Sequence, residues 1–178
     1  MVYVLLANGF EEIEALTPVD IMRRAGICVK TVTITDDLYI MGAHDILVKA
    51  DMKLSEVNKG QMDLLMLPGG AGHVNLDESE DVHSLINYAN ENNRFIAAIC
   101  ASPSIIGKMG LLKGKRATAF PGFEQYLVGA DVVSDKVAVD GKIITAKGAG
   151  ASAEFGFSIV EKLIDKKTAD QLKETMQY

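Results

Sequence analysis

Short runs of Val, Ile and Leu alternate along the chain with longer stretches in which apolar residues recur every three or four positions. Runs of the first kind suit strands covered on both faces, and stretches of the second suit helices with one buried face. The pattern predicts strands at Val2–Ala7, Val29–Ile34, Asp63–Leu67, Phe95–Ile99, Ala117–Phe120 and Ile143–Ala146. It predicts helices over Ile13–Arg24, Asp81–Asn90, Pro103–Met109, Glu154–Ile164 and Thr168–Met176. Such alternation is the signature of a parallel sheet. Two segments read as antiparallel instead: Tyr39–Ala50, a hairpin or edge ribbon, and Val132–Asp140, which ends at the Asp140-Gly141 turn. The expected fold is a flavodoxin-like or Rossmann-like three-layer α/β sandwich, with a mostly parallel central sheet and a small antiparallel excursion. No linker or repeat divides it, so residues 1–178 read as one domain. Ligands of such sheets bind at the C-terminal strand ends, which places chemistry just after Ala7, Leu67 and Ile99.

Composition narrows the partners. Of 178 residues 48% are hydrophobic and 24% charged, ordinary values for a globular domain, and a chain of this length hides about 70% of its unfolded surface. A core needs no metal or disulfide at that size. The net charge of −6, with no basic stripe to offset it, argues against nucleic acid. The apolar start Met1–Leu6 lacks a preceding basic region and soon meets Asn8 and Glu11, so it reads neither as a signal peptide nor as a membrane span. Two cysteines, Cys28 and Cys100, fit no zinc or CxxC spacing and read as free thiols of a cytoplasmic protein.

The three loops after the strand ends each carry unusual chemistry. Phe95-Ile96-Ala97-Ala98-Ile99 runs straight into Cys100, and Ala101, Ser102 and Pro103 then open a helix, the elbow that lifts a nucleophile above a sheet edge. A thiol there meets free amides at a helix N-terminus and is expected to be reactive near neutral pH. A buried structural cysteine fits the same letters. Gly69-Gly70 exposes backbone amides suited to an anion, or is a tight turn that needs glycine. Glu14 belongs to an acidic group with Glu11 and Glu12. That group is either a solvated helix start or the source of a desolvated carboxyl that hydrogen-bonds sulfur. Cys28, at the start of a strand, reads as core or edge packing.

Other motifs carry less. Gly148-Ala149-Gly150-Ala151-Ser152-Ala153 has the letters of a dinucleotide fingerprint, but no later strand completes a βαβ unit, so it reads as a strand-to-helix turn. His44, His73 and His83 lack metal spacing and lie upstream of Cys100, against the order of a glutaminase-like triad. All three read as surface residues, although His73 lies within reach of the site on the glycine loop. Neither a metal nor a cofactor is expected.

At these loops the chain resembles the ThiJ/PfpI superfamily, and most closely its bacterial YajL-like branch. The resemblance rests on Glu11-Glu12-Ile13-Glu14 with Pro18-Val19-Asp20 and Arg23-Arg24-Ala25-Gly26, on Leu67-Pro68-Gly69-Gly70, on Ala97-Ala98-Ile99-Cys100-Ala101, and on Gly148 to Phe155. It implies that Cys100 is the nucleophile and oxidation-sensitive thiol, with Glu14 as its protonated partner and the Gly70 and Ala101 amides as oxyanion donors. It implies a pocket bordered by Gly69, Phe120 and His44. It also implies a homodimer whose neighbouring subunit contributes Arg24. The implied substrates are small 2-oxoaldehydes such as methylglyoxal and glycated proteins, with chaperone and oxidative-stress roles as the alternative. Five positions depart from the family: Phe120 stands where some relatives have histidine, Ala101 where the peptidase branch has histidine, and His44 where arginine is frequent. Ser102 and Ala149 replace the more usual Gly and Pro.

Overall fold

The computed structural model describes residues 1–178. In chain order the elements are β1 (Val2–Leu6), α1 (Glu12–Arg24), β2 (Val29–Thr33), β3 (Tyr39–Met41), β4 (Leu47–Lys49), β5 (Met52–Lys53), β6 (Leu64–Leu67), α2 (His73–Glu78), α3 (Glu80–Glu91), β7 (Phe95–Ile99) and α4 (Pro103–Lys108). They continue with β8 (Arg116–Ala117), β9 (Asp131–Val132), β10 (Val137–Asp140), β11 (Ile143–Ala146), α5 (Ser152–Leu163) and α6 (Lys166–Thr175). Seven strands form the central sheet in the order β10-β11-β7-β6-β1-β2-β5, and only β10 runs antiparallel. The fold is the expected three-layer sandwich.

Each strand of the sheet centre is apolar throughout because each of its faces meets helices. On β1, Val2, Val4 and Leu6 pack with Ala15, Val19 and Met22 of α1 and Phe155 and Ile159 of α5. Tyr3 and Leu5 point the other way, toward Val82, Leu85 and Ile86 of α3 and Ile105 and Ile106 of α4. Helices α1 and α5 approach so closely that a Cβ on Gly156 would lie 2.9 Å from Ile21 Cδ1 and 3.1 Å from Pro18 Cα. Pro18, inside α1, also removes the N–H that would bond the Glu14 carbonyl. Side-chain oxygens cap two later helices: Ser79 accepts from Val82 N–H at the start of α3, and Asp165 accepts from Thr168 N–H at the start of α6.

Two sequence expectations change. The strand expected over Ala117–Phe120 is the two-residue β8, which pairs with β9 outside the main sheet. Beyond it the backbone is taken by other acceptors: Thr118 N–H donates to Thr145 Oγ1 at 3.0 Å, and Phe120 N–H to the Cys100 carbonyl at 2.9 Å. The antiparallel excursion expected over Val132–Asp140 is confined to β10, because Asp131–Val132 pairs parallel to β8. The hairpin over 39–50 forms as β3 and β4. No helix is long and apolar enough to cross a membrane.

Candidate active site

The chain leaves β1 toward β2 on one side and leaves β6 toward β7 on the other, so the sheet switches direction between β1 and β6. That is where a crevice opens in such folds. The two loops there are joined by backbone hydrogen bonds, Glu11 N–H to the Gly69 carbonyl at 3.1 Å and Gly72 N–H to the Gly9 carbonyl at 2.8 Å. Gly70 has φ +81°, and a Cβ on it would stand 2.5 Å from Glu11 N and Gly9 O, so no other residue fits there without moving the loop.

Cys100 follows β7 with φ +66°, a left-handed conformation that costs a non-glycine residue energy and marks the elbow expected from sequence. The geometry is held from three sides. Cys100 N–H donates to the Ala146 carbonyl of β11 at 2.9 Å, and the Cys100 carbonyl accepts from Phe120. Ser102, fully buried, donates its hydroxyl to the Pro68 carbonyl at 2.5 Å and so clamps the cysteine loop to the glycine loop. The sequence marks Ser102 only as a turn substitution, since nothing local in the letters reveals a contact across 34 positions.

Glu14, 1% exposed in the first turn of α1, hydrogen-bonds the Cys100 thiol and accepts from Gly69 N–H at 3.0 Å and from the Ala149 amide. Its burial rules out the solvated helix start. Gly69 is a packing requirement: a Cβ there would lie 2.5 Å from Cys100 Cβ and 2.6 Å from Glu14 Oε2. The Phe120 ring, 47% exposed, passes 3.2 Å from where a Gly148 Cβ would be, and Glu14 Oε1 lies 3.6 Å from the same point. The Gly70 and Ala101 amides both point at the sulfur. Cys100, Glu14, Gly69, Gly70, Ala101 and Phe120 therefore meet, with the Ala149 amide added from the β11 end.

Electrostatics changes one expectation. Burial raises Glu14 to about 7, and burial together with the adjacent Glu14 carboxylate pushes the Cys100 thiol up to about 12, against the pull of the Gly70 and Ala101 amides. A free thiolate set by a helix N-terminus is thus not the right description, and α4 is only six residues long. The pair resists a second negative charge. Above pH 7 it holds one charge and one proton, shared across the Glu14–Cys100 hydrogen bond.

The remaining candidates lie elsewhere. Arg24, at the far end of α1, pairs with Asp20 at 2.7 Å, about 15 Å of helix away from Glu14. His44 serves the β3–β4 hairpin: its backbone N–H and ring bond Glu12 at 2.8 and 3.0 Å, and its ring lies 3.5 Å from Glu11. Burial of Glu12 opposes its charge, yet these bonds and one from Ile46 N–H hold it below the ordinary carboxylate range, while Glu12 raises His44. Donor atoms of Glu11, Glu12 and His44 lie within 4.8 Å of one another, but Glu12 is already occupied in holding the hairpin. His73 is less peripheral than expected, with its ring Nδ1 2.9 Å from the Gly70 carbonyl and edge-on to Phe123. Cys28 is exposed at the opposite end of the sheet.

A strained cysteine elbow beside a buried carboxyl, on a doubly wound sheet, defines a class of cysteine-centred α/β proteins. The DJ-1/PfpI family profile matches residues 1–162, and the chain belongs to that family. It is 35% identical over 175 residues to the Parkinson disease protein 7 homolog of Danio rerio, covering 96% of this chain and 93% of that protein. A protein named as a deglycase in Pyrococcus abyssi is 29% identical over 151 residues, covering 84% of this chain and 90% of that protein. The DJ-1 homolog B of Arabidopsis thaliana is 36% identical over 173 residues, which is 96% of this chain and 40% of the plant protein, so the chain spans under half of that relative. Among solved structures, oxidised DJ-1 of Toxoplasma gondii superposes with TM-score 0.94 at 31% identity, over 99% of this chain and 97% of that one.

Proposed function

We propose that this chain is a cysteine-dependent, cofactor-independent enzyme acting on small 2-oxoaldehydes, with glycated proteins as a second substrate class. The supporting observation is the Glu14–Cys100 pair with the Gly70 and Ala101 amides on its sulfur. A deglycase among the relatives adds weight. In the proposed reaction the thiol adds to the aldehyde carbon while Glu14 takes the thiol proton, and the resulting oxyanion of the hemithioacetal faces the backbone amides. Glu14 returns that proton to the oxyanion, then takes the proton of the former aldehyde carbon and delivers it to the neighbouring carbon through an enediol, as the hydroxyl proton passes from one oxygen to the other, leaving a 2-hydroxy thioester. Water hydrolyses the thioester to the 2-hydroxy acid and frees the thiol. Phe120 offers no proton, so Glu14 performs every transfer and turnover is modest.

The same reading takes residues 1–178 as one cytoplasmic domain, nearest the YajL-like branch and working as a homodimer. Exposed Ile13, Tyr39, Met41, Ile46 and Leu47 on α1 and the hairpin supply an apolar face suited to a second copy, across which Arg24 would reach the partner's site. A second reading, a redox sensor or chaperone with no turnover, draws on the same amides, which would equally hold an oxidised sulfur. Methylglyoxal loss and lactate formation by the wild-type protein and Cys100→Ala, in a buffer that does not trap aldehydes, separate the two. The enzyme reading expects repeated turnovers and a fall of roughly a thousandfold in the variant. Lactate no higher than the variant's background would leave the sensor reading.

A further inference from the structure

The N-terminal edge of the sheet, opposite the candidate active site, opens into a cavity of about 490 Å³. Its wall includes exposed Cys28, and its charged lining is Arg94, Lys142, Lys162 and a single acid, Asp63. Asp63 is already engaged by the Met1 ammonium. The cations are far less committed. Arg94 makes no side-chain hydrogen bond or ion pair, and its Nε is shut off from solvent without a partner. Lys142 lies 3.9 Å over the Phe95 ring and has no carboxylate, while Lys162 reaches only its neighbour Glu161 at 3.3 Å. The apolar lining comes from Val2, Ile27, Phe95, Leu163 and Ile164. Cys28 Sγ rests 3.4 Å from Met1 Sδ, against a flexible thioether that an incoming group can displace.

A half-buried arginine whose guanidinium meets no carboxylate, two lysines of which only one does, and a neutralised acid leave a cationic wall that suits an anion. The exposed sulfur in the same wall adds a covalent handle. We propose that this cavity docks a low-molecular-weight disulfide of the peptide-carboxylate kind, and that Cys28 is thereby S-thiolated. The Cys28 thiolate attacks one sulfur of the bound disulfide; the Cys28–S bond forms as the ligand's S–S bond breaks, and the departing half leaves as a thiolate. The disulfide is the oxidant and Cys28 the group oxidised, so no other reactant is required. Carboxylates of the half that stays are held by Arg94 and Lys142. None of this uses Cys100 or Glu14, and the inference stands whether or not the proposed aldehyde chemistry is correct.

The test is the charge dependence of the modification in the full chain. Wild-type protein is incubated at low salt with oxidised glutathione (anionic), bis(2-hydroxyethyl) disulfide (neutral) and cystamine (cationic). Peptide mapping follows the adduct on Cys28, and each rate is divided by that of the urea-unfolded protein to remove intrinsic reactivity. The expected order is anionic above neutral above cationic, with about tenfold between the extremes, and high salt collapses it. A protein carrying Arg94→Gln, Lys142→Gln and Lys162→Gln should lose the order while its neutral-disulfide rate is unchanged. Equal normalised rates for the three disulfides in the wild-type protein, or a preference for cystamine, would overturn the proposal without recourse to any variant.

Discussion

The two cysteines sit at opposite ends of one sheet and in opposite states of commitment. At the C-terminal edge every group around Cys100 is engaged: the thiol with Glu14, Glu14 with the Gly69 and Ala149 amides, and Ser102 with Pro68. At the N-terminal edge Cys28 is exposed beside Arg94 and Lys142, neither of which meets a carboxylate. The first arrangement fixes reacting atoms at the cost of access, as a site that positions a small reactant requires. The second is open and unsatisfied, as a docking surface is before its ligand arrives. A thiol's function is therefore read from how its neighbours are engaged, more than from the thiol itself.

Glu14→Gln probes the committed end most strongly. Turnover should fall by about a hundredfold or more, and the wild-type rise in rate with a midpoint near pH 7 should disappear. Stability should move the opposite way. Because the folded protein holds the Glu14 proton up to about 7, wild-type stability falls between about pH 4.5 and 7 and stays lower above that, a loss of about 3 kcal/mol. Gln removes that loss, so denaturant titrations should find the variant more stable at pH 8 and indistinguishable near pH 4. A variant less stable at pH 8 would contradict a strained, buried carboxyl.

Glycine substitutions contrast the two ends directly. Gly69→Ala forces a Cβ into Cys100 and Glu14 and should cost about 2–3 kcal/mol together with most activity. Gly26→Ala, in the wall of the N-terminal cavity, meets nothing within 4 Å and costs only its φ of +76°, about 1 kcal/mol, with activity intact. Similar losses at both sites, measured by urea titration, would erase the distinction between a tight and an open end.

The smallest effect belongs to His44→Gln, which loosens the hairpin beside the site. Melting should drop by about 1–2 °C, and amide exchange over β3 and β4 should quicken. Raised His44 contributes fully below the ordinary histidine range and is lost as pH climbs through its raised value. Lowered Glu12 contributes above the ordinary carboxylate range and is lost as pH falls through its lowered value. The difference between variant and wild type is thus greatest at about pH 5–6.

The features legible in the sequence are those that repeat locally. Unbroken apolar runs located β1, β6 and β7, β-branched residues marked β2 and β11, and the run into Cys100 located the elbow. The segment after Ala117 misled because Thr118 and Phe120 give their N–H groups to Thr145 and Cys100 instead of to a neighbouring strand. The acidic letters Glu11, Glu12 and Glu14 left the burial of Glu14 open and gave no sign of that of Glu12. What escaped was contact between distant positions: the Ser102 clamp and the hold of His44 on Glu12.

Glu14, Gly69 and Cys100 lie on separate stretches of chain, and the cysteine loop is tied in turn to Ala146. A ribosome therefore releases the acid long before the thiol, and the thiol before the strand that anchors it. During synthesis Cys100 exists for a time as an ordinary cysteine without its proton partner. The pairing of thiol and acid is complete only when the last sheet strand has docked, so a probe of that pair reports the fraction of chains that have finished folding.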